Sequence, residues 1–325
     1  MSTEVEPQLA RTGPPETAGA ARRSGRRRGR QARTGAAKGF AFTIPYVVGF
    51  LAVYVAPVGY ALYQSVHQEK RSALGFGAPT TVFAGLANYR DAFADGVFWR
   101  SMLRVALFGA VEIPVMLGLA LLMALLLDGL AARGARFFRL AYLTPYVVPG
   151  VVSALLWLYL YSPTISPISG AVGRLGGSLD FFTPVNTYLS LGNVLVWEQI
   201  GFNMILISAS LQAIPKELYE AARLDGATEQ RIAWSVKIPA IRPVLVLTGM
   251  FSIIAALQLF TEPLIIRQEA PGPIGVNFTP MQTIYVTAFS TSNYHYAAAL
   301  STVLAVVTGV LAFIFYRVTN RRTAS

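Results

Sequence analysis

Three carboxylates interrupt long apolar runs in this sequence: Glu112, Glu198 and Glu262. A charge at mid-bilayer costs roughly 2.5–3.5 kcal/mol on insertion scales, so such groups face a bundle interior or a cavity rather than lipid. Trp197, Phe202 and Asn203 lie close to Glu198, which shares a helix face with Phe202. Gln258 precedes Glu262 by one helical turn, and helical spacing would put both on one face. Carboxylates and amides beside aromatic rings suit a sugar: the polar groups take hydroxyl hydrogen bonds, and the ring covers the C–H face. The same residue types also serve interhelical packing, with Trp and Phe in the core and Gln or Glu bonded to a neighbouring helix. Glu112, close to Pro114, is expected to satisfy backbone groups that the proline opens.

Other chemistries are excluded by composition. The chain has no cysteine and two histidines, His67 and His295, each in a predicted connection, so a thiolate nucleophile, a disulfide and the usual metal sites are ruled out. No Ser/His or paired-carboxylate arrangement stands within the apolar runs, which argues against an intramembrane enzyme. Each of the four lysines, Lys38, Lys70, Lys216 and Lys237, is followed by Gly, Arg, Glu or Ile, so no GxxxxGK[ST] phosphate loop exists. No cofactor is expected on this chain, and it cannot hydrolyse nucleotide alone.

The elements that must carry these residues are membrane helices. The sequence is 54% apolar and 13% charged, and a span needs about 20 mostly apolar residues. Six runs qualify, at about 42–66, 102–127, 140–161, 188–213, 244–266 and 297–316. The expected fold is therefore all-α and polytopic, with residues 40–325 as the membrane domain. Residues 1–39, which include "RRSGRRRGR", are expected to form a disordered basic cytoplasmic tail rather than a nucleic-acid-binding arm. Twenty of the 27 Lys and Arg fall on the segments that share a side with the N-terminus. By the positive-inside rule both termini are cytoplasmic, and the excess of arginine over the four lysines suggests a bacterial source.

One cytoplasmic segment, 215–240, is too ordered for a linker. Pro215 opens a helix, and Leu218, Ala221 and Ala222 make one apolar stripe. Gly226 fits a left-handed helix end, where a Cβ is costly. Thr228 caps a second helix, with Glu229 in its first turn, and Ile232, Ser235 and Val236 share a face. Pro239 is expected to stop that helix. The pattern is helix–tight turn–helix, suited either to docking another protein or to lying on the headgroups.

The spacing Glu220-Ala221-Ala222, three residues, Gly226, nine residues, Val236, one residue, Ile238-Pro239 resembles the EAA motif of binding-protein-dependent ABC importer permeases. "LANYRDAF", "FFRLAYLTPYVVPGVVSALLW", "LQAIPKELYEAARLDGA" and "YHYAAALS" are similar to the maltose and glycerol-phosphate branch of that family. The resemblance implies that the hairpin is a coupling helix seated in a cytoplasmic ABC ATPase dimer, which binds the ATP. Glu220, Ala221, Ala222, Gly226, Asp225 of the same signature and Pro239 would then be the coupling residues. It further implies a second homologous permease, an extracytoplasmic solute-binding protein and a sugar substrate. Trp197, Glu198, Phe202, Asn203, Gln258 and Glu262 are the substrate-path candidates. Two departures stand out: "RQEAP" at 267–271 replaces the usual TxGGP, and Arg104-Val105 replaces an Asn-Thr pair. The competing reading is an ion-gradient-driven secondary transporter, which would use the buried glutamates but normally shows inverted repeats, absent here.

Overall fold

A computed structural model describes residues 42–70, 80–129, 132–162, 165–175 and 180–321. The basic segment 1–39 lies outside the described residues. The chain divides into two units, 1–60 and 61–325. Helix α1 runs Phe42–Ser65 and widens into a π turn at Leu51–Val55. A short antiparallel hairpin follows, β1 (His67–Lys70) and β2 (Thr80–Phe83), with His67 opposite Phe83. The sequence reading did not resolve these strands.

Helix α2 (Ala87–Ala94) is fastened by the polar residues of the "LANYRDAF" stretch. Asn88 is almost fully buried; its Nδ2 donates to the carbonyls of Ser65 and His67, both at 2.8 Å, and its Oδ1 accepts from Gln68 at 2.7 Å. A buried amide that uses both ends holds three connections at once, because leaving any of them unmade costs the full desolvation of that group.

The bundle is built on α3 (Gly96–Asp128), opened by Asp95 as N-cap, and α7 (Pro184–Gln212), opened by Thr183. These two helices make the most extensive contact in the second unit. Ala120 and Ala124 of α3 meet Met204, Ile207 and Leu211 of α7 in one buried cluster. Small residues on one side let the backbones approach, which is how membrane helices gain packing without a hydrophobic drive. Gly201 is the tightest point: a Cβ there would overlap the Tyr142 carbonyl.

The third expected span is not one straight helix. It is α4 (Ala132–Val147) and α5 (Gly150–Tyr161), bent by 98° at Val148-Pro149. Pro149 is extended (ψ 135°), supplies no N–H and pushes the preceding residue out of the helical region. Among the described residues, five helices are long and apolar enough to cross a membrane, or six if this bent pair counts as one span. The short α6 (Pro167–Arg174) is capped by Ser166.

After α7 the chain forms α8 (Lys216–Leu224) and α9 (Glu229–Ile232), then a π turn at Ala233–Lys237 and α10 (Ile238–Leu257). Pro239 was expected to end the second helix of the hairpin, but the helix runs straight through it into the span. The π turn before it explains the difference: Ile238 N–H bonds Ala233 O, so the widened ladder absorbs the donor that Pro239 lacks. The fifth span breaks further along. α10 ends at Leu257, Phe260 is non-helical (φ −139°), and α11 (Thr261–Ile266) restarts with Pro263 in its first turn, where no N–H is required. The chain closes with α12 (Pro280–Tyr285), a π turn at Val286–Ser290, and α13 (Tyr294–Arg321). His295, expected in a connection, sits in the first turn of α13, buried, with Nδ1 3.2 Å from the Gln64 carbonyl.

Candidate functional site

The 215–240 hairpin forms as its spacing requires. Gly226 has φ +77°, a conformation in which a side chain is strained. Ala227 N–H bonds Ala222 O at 2.9 Å and Gly226 N–H bonds Arg223 O at 3.0 Å, the paired closure of a Schellman turn. Thr228 Oγ1 then accepts from Arg231 N–H to open α9. Arg223 Nε reaches Glu229 Oε1 at 2.8 Å across the turn, an exposed pair that adds little stability.

No residue of α8 is buried. Glu220, Ala221, Asp225 and Gly226 are exposed and Ala222 is half-buried, while Leu218 and Leu224 are 51% and 89% exposed. The apolar stripe therefore points away from this chain. Glu220, Ala221, Ala222, Asp225 and Gly226 come together on the hairpin. Pro239 does not join them; it lies exposed on the helix that follows.

Where the hairpin meets the bundle is a feature that the sequence reading missed. Lys237 Nζ donates to Asp128 Oδ2 at 2.6 Å and sits 5.0 Å from the centre of the Tyr219 ring. Burial, and then the Asp128 carboxylate, push the Tyr219 phenol above its usual range. The signal was a lone aspartate at the end of an apolar run and a lone lysine one turn before another. Their partnership across 109 residues could not be read from spacing.

The membrane candidates fall into groups. Glu198 and Glu262 converge on the bend at Gly150: a Cβ there would lie 2.5 Å from Glu262 Oε1 and 4.0 Å from Glu198 Oε1. A side chain at Gly150 would require the Glu262 carboxylate to shift. Ser153, one turn along α5 and fully buried, lies beside the Glu198 carboxylate. Trp197 meets Trp157 edge-on at 5.8 Å, and Phe202 stacks on Tyr146 at 4.6 Å. Thus Trp197, Glu198 and Phe202 of α7 all look toward the bent pair α4–α5. Asn203 turns to α3 instead, where its Nδ2 touches Met116 Sδ at 3.1 Å while also donating to Gln199 O of its own helix at 3.0 Å.

Two expectations are corrected here. Gln258 and Glu262 do not share a helix face, because the helix is interrupted between them; Gln258 is an exposed C-cap while Glu262 belongs to α11. Glu112 does not satisfy the backbone around Pro114. Its Oε1 is buried without a partner among the described residues. A carbonyl freed by proline needs a donor, which a carboxylate is not.

Within α3, Arg104 of the departing Arg104-Val105 pair holds the connection after α11. Its Nη1 donates to the carbonyls of Asn277 (3.1 Å) and Phe278 (2.8 Å), and its guanidinium lies 5.3 Å from the Phe278 ring centre. A polar cavity of about 620 Å³ opens nearby in sequence terms, lined by Gln68, Glu69, Asn88, Asp91, Asn293 and Tyr296 among others.

Comparison with known proteins places the chain. The family described as "Binding-protein-dependent transport system inner membrane component" matches residues 116–325. The chain is 33% identical over 294 residues to the diacetylchitobiose uptake system permease protein NgcF of Streptomyces coelicolor, covering 84% of this chain and 79% of that one. It is 30% identical to the sn-glycerol-3-phosphate transport system permease protein UgpA of Agrobacterium fabrum, over 86% of this chain and 93% of the relative. In fold it resembles a chain of the crystal structure of a bacterial ABC transporter involved in the import of the acidic polysaccharide alginate. There the TM-score is 0.76 at 19% identity, covering 90% of this chain and 99% of that one. The chain belongs to the binding-protein-dependent transport system inner membrane components, as a permease subunit of an ABC importer and not an ion-driven secondary transporter.

Proposed function

We propose that the chain forms half of the translocation path for a sugar or related polyol and is driven by a separate cytoplasmic ATPase dimer that docks on the 215–240 hairpin. The observation that carries this reading is the hairpin itself: a left-handed Gly226 between two short helices, with an apolar stripe that no described residue covers fully. An apolar helix face left open on a soluble surface calls for a partner. A second, homologous permease completes the path, and an extracytoplasmic solute-binding protein delivers cargo. Both termini and the hairpin are then cytoplasmic, as the distribution of Lys and Arg favours. The sugar class is supported by the uptake system named for NgcF and by aromatic rings beside the carboxylates at the Gly150 bend.

The test is to extract the tagged chain in mild detergent and identify what accompanies it by mass spectrometry. An ATPase and a second permease are expected with the wild type. Gly226→Val, which stays in the membrane but cannot hold φ +77° without strain, is expected to lose the ATPase. Wild-type chain recovered alone, under conditions that preserve a known ABC complex, would overturn the reading.

A further inference from the structure

A cavity of about 530 Å³ lies between the end of α3, the start of α4, the end of α7 and α8. Three cations line it: Arg136, Arg139 and Lys216. Its one carboxylate, Asp128, is already engaged by Lys237 at 2.6 Å. Among the described residues Arg136, Arg139 and Lys216 have no ion-pair or hydrogen-bond partner, and Arg139 Nε is buried without one. Unpaired cations gathered in a cavity call for an anion from outside the chain.

We propose that this cavity binds a phosphate group, presented by an anionic phospholipid or by soluble phosphate. The rest of the lining favours the lipid. Leu127, Leu140, Leu211 and Ile214 continue from the cations along the ends of the apolar helices, and Leu140 is 61% exposed. A headgroup beside the arginines leaves its acyl chains along exposed Leu140, since Leu127 and Leu211 are buried within the bundle. Basic pockets between membrane helices on the cytoplasmic side hold anionic headgroups in this manner. The cytoplasmic placement rests on the orientation proposed above; the phosphate chemistry does not. Lys216 and Tyr219 belong to α8, so an occupied cavity contacts the hairpin directly.

The full chain, with whatever subunits accompany it, is placed in nanodiscs of phosphatidylcholine with 20% phosphatidylglycerol. It is then extracted, and retained lipid is quantified by mass spectrometry. The wild type is expected to retain phosphatidylglycerol about tenfold above its share of the bilayer. Arg136→Gln/Arg139→Gln is expected to lose this enrichment, since each cation near an anionic headgroup contributes about a factor of five. Arg231→Gln, which removes an exposed cation outside the cavity, is expected to keep it. Enrichment erased by 10 mM inorganic phosphate assigns the site to soluble phosphate, and enrichment that survives assigns it to lipid; either supports a phosphate site. No enrichment in the wild type, or equal loss in the Arg231 variant, overturns it. Co-purification of the ATPase is read from the same samples, so failure of the transport reading is seen separately.

Discussion

Lys237 and Asp128 form an ion pair at 2.6 Å, and each side chain is largely hidden (11% and 15% exposed). Asp128 is the last residue of α3 and Lys237 the last of the π turn that opens the fifth span, so the pair ties two spans together at the base of the hairpin. Removing one partner of a buried pair costs more than removing both, because the survivor stays desolvated and unpaired. Asp128→Ala is expected to destabilise the chain by about 3 kcal/mol and to reduce ATP-driven uptake. Asp128→Ala/Lys237→Met is expected to recover much of the stability. Thermal unfolding of the detergent-purified variants measures both, and additive losses would show that the pair is not coupled.

Gly201→Ala tests the α4–α7 contact. The added Cβ meets the Tyr142 carbonyl and Leu143 Cα, which are backbone and cannot swing aside. Overpacking of this kind costs about 1–3 kcal/mol. The expected result is a lower melting temperature and poor membrane yield, whereas Gly118→Ala, which meets nothing within 4 Å, stays like the wild type.

Arg104→Ala frees the carbonyls of Asn277 and Phe278. A hydrogen bond to a charged group contributes about 1.5–3 kcal/mol. Amide exchange across 274–279 is therefore expected to quicken about tenfold or more, while exchange in the hairpin at 216–237 is unchanged. Uniform quickening throughout the chain would mean that Arg104 supports the whole bundle instead.

Glu262 and Gln258 separate in a transport assay. Glu262→Ala vacates the Gly150 bend and is expected to change the KM of uptake, because its oxygen approaches that glycine closely. Gln258→Ala, at an exposed helix end, is expected to act less. Unchanged kinetics in the Glu262 variant would remove it from the path.

The hairpin was legible because its signals are local. A left-handed glycine, a threonine cap and a helical stripe each depend on neighbours a few residues away, and all three are present at Gly226, Thr228 and Leu218. The spans were legible by length and apolarity. What failed depended on the backbone ladder: Pro149 breaks a span, while Pro239, which follows a π turn, does not. The residue type is the same and the difference lies in hydrogen bonds that sequence does not display. Gln258 and Glu262 misled for a related reason, since helical spacing presumes an unbroken helix. The Lys237–Asp128 and Arg104–Phe278 contacts join residues 109 and 174 positions apart, and no periodicity reports such a distance.

The π turn at Ala233–Lys237 also sets an angle. It holds one residue more than an α turn would, and each residue advances a helix by about 100°. The hairpin therefore meets the fifth span at an azimuth fixed by a single inserted residue, like a crank keyed to its shaft. Shortening the turn by one residue would leave both helices intact and point α8 in a different direction.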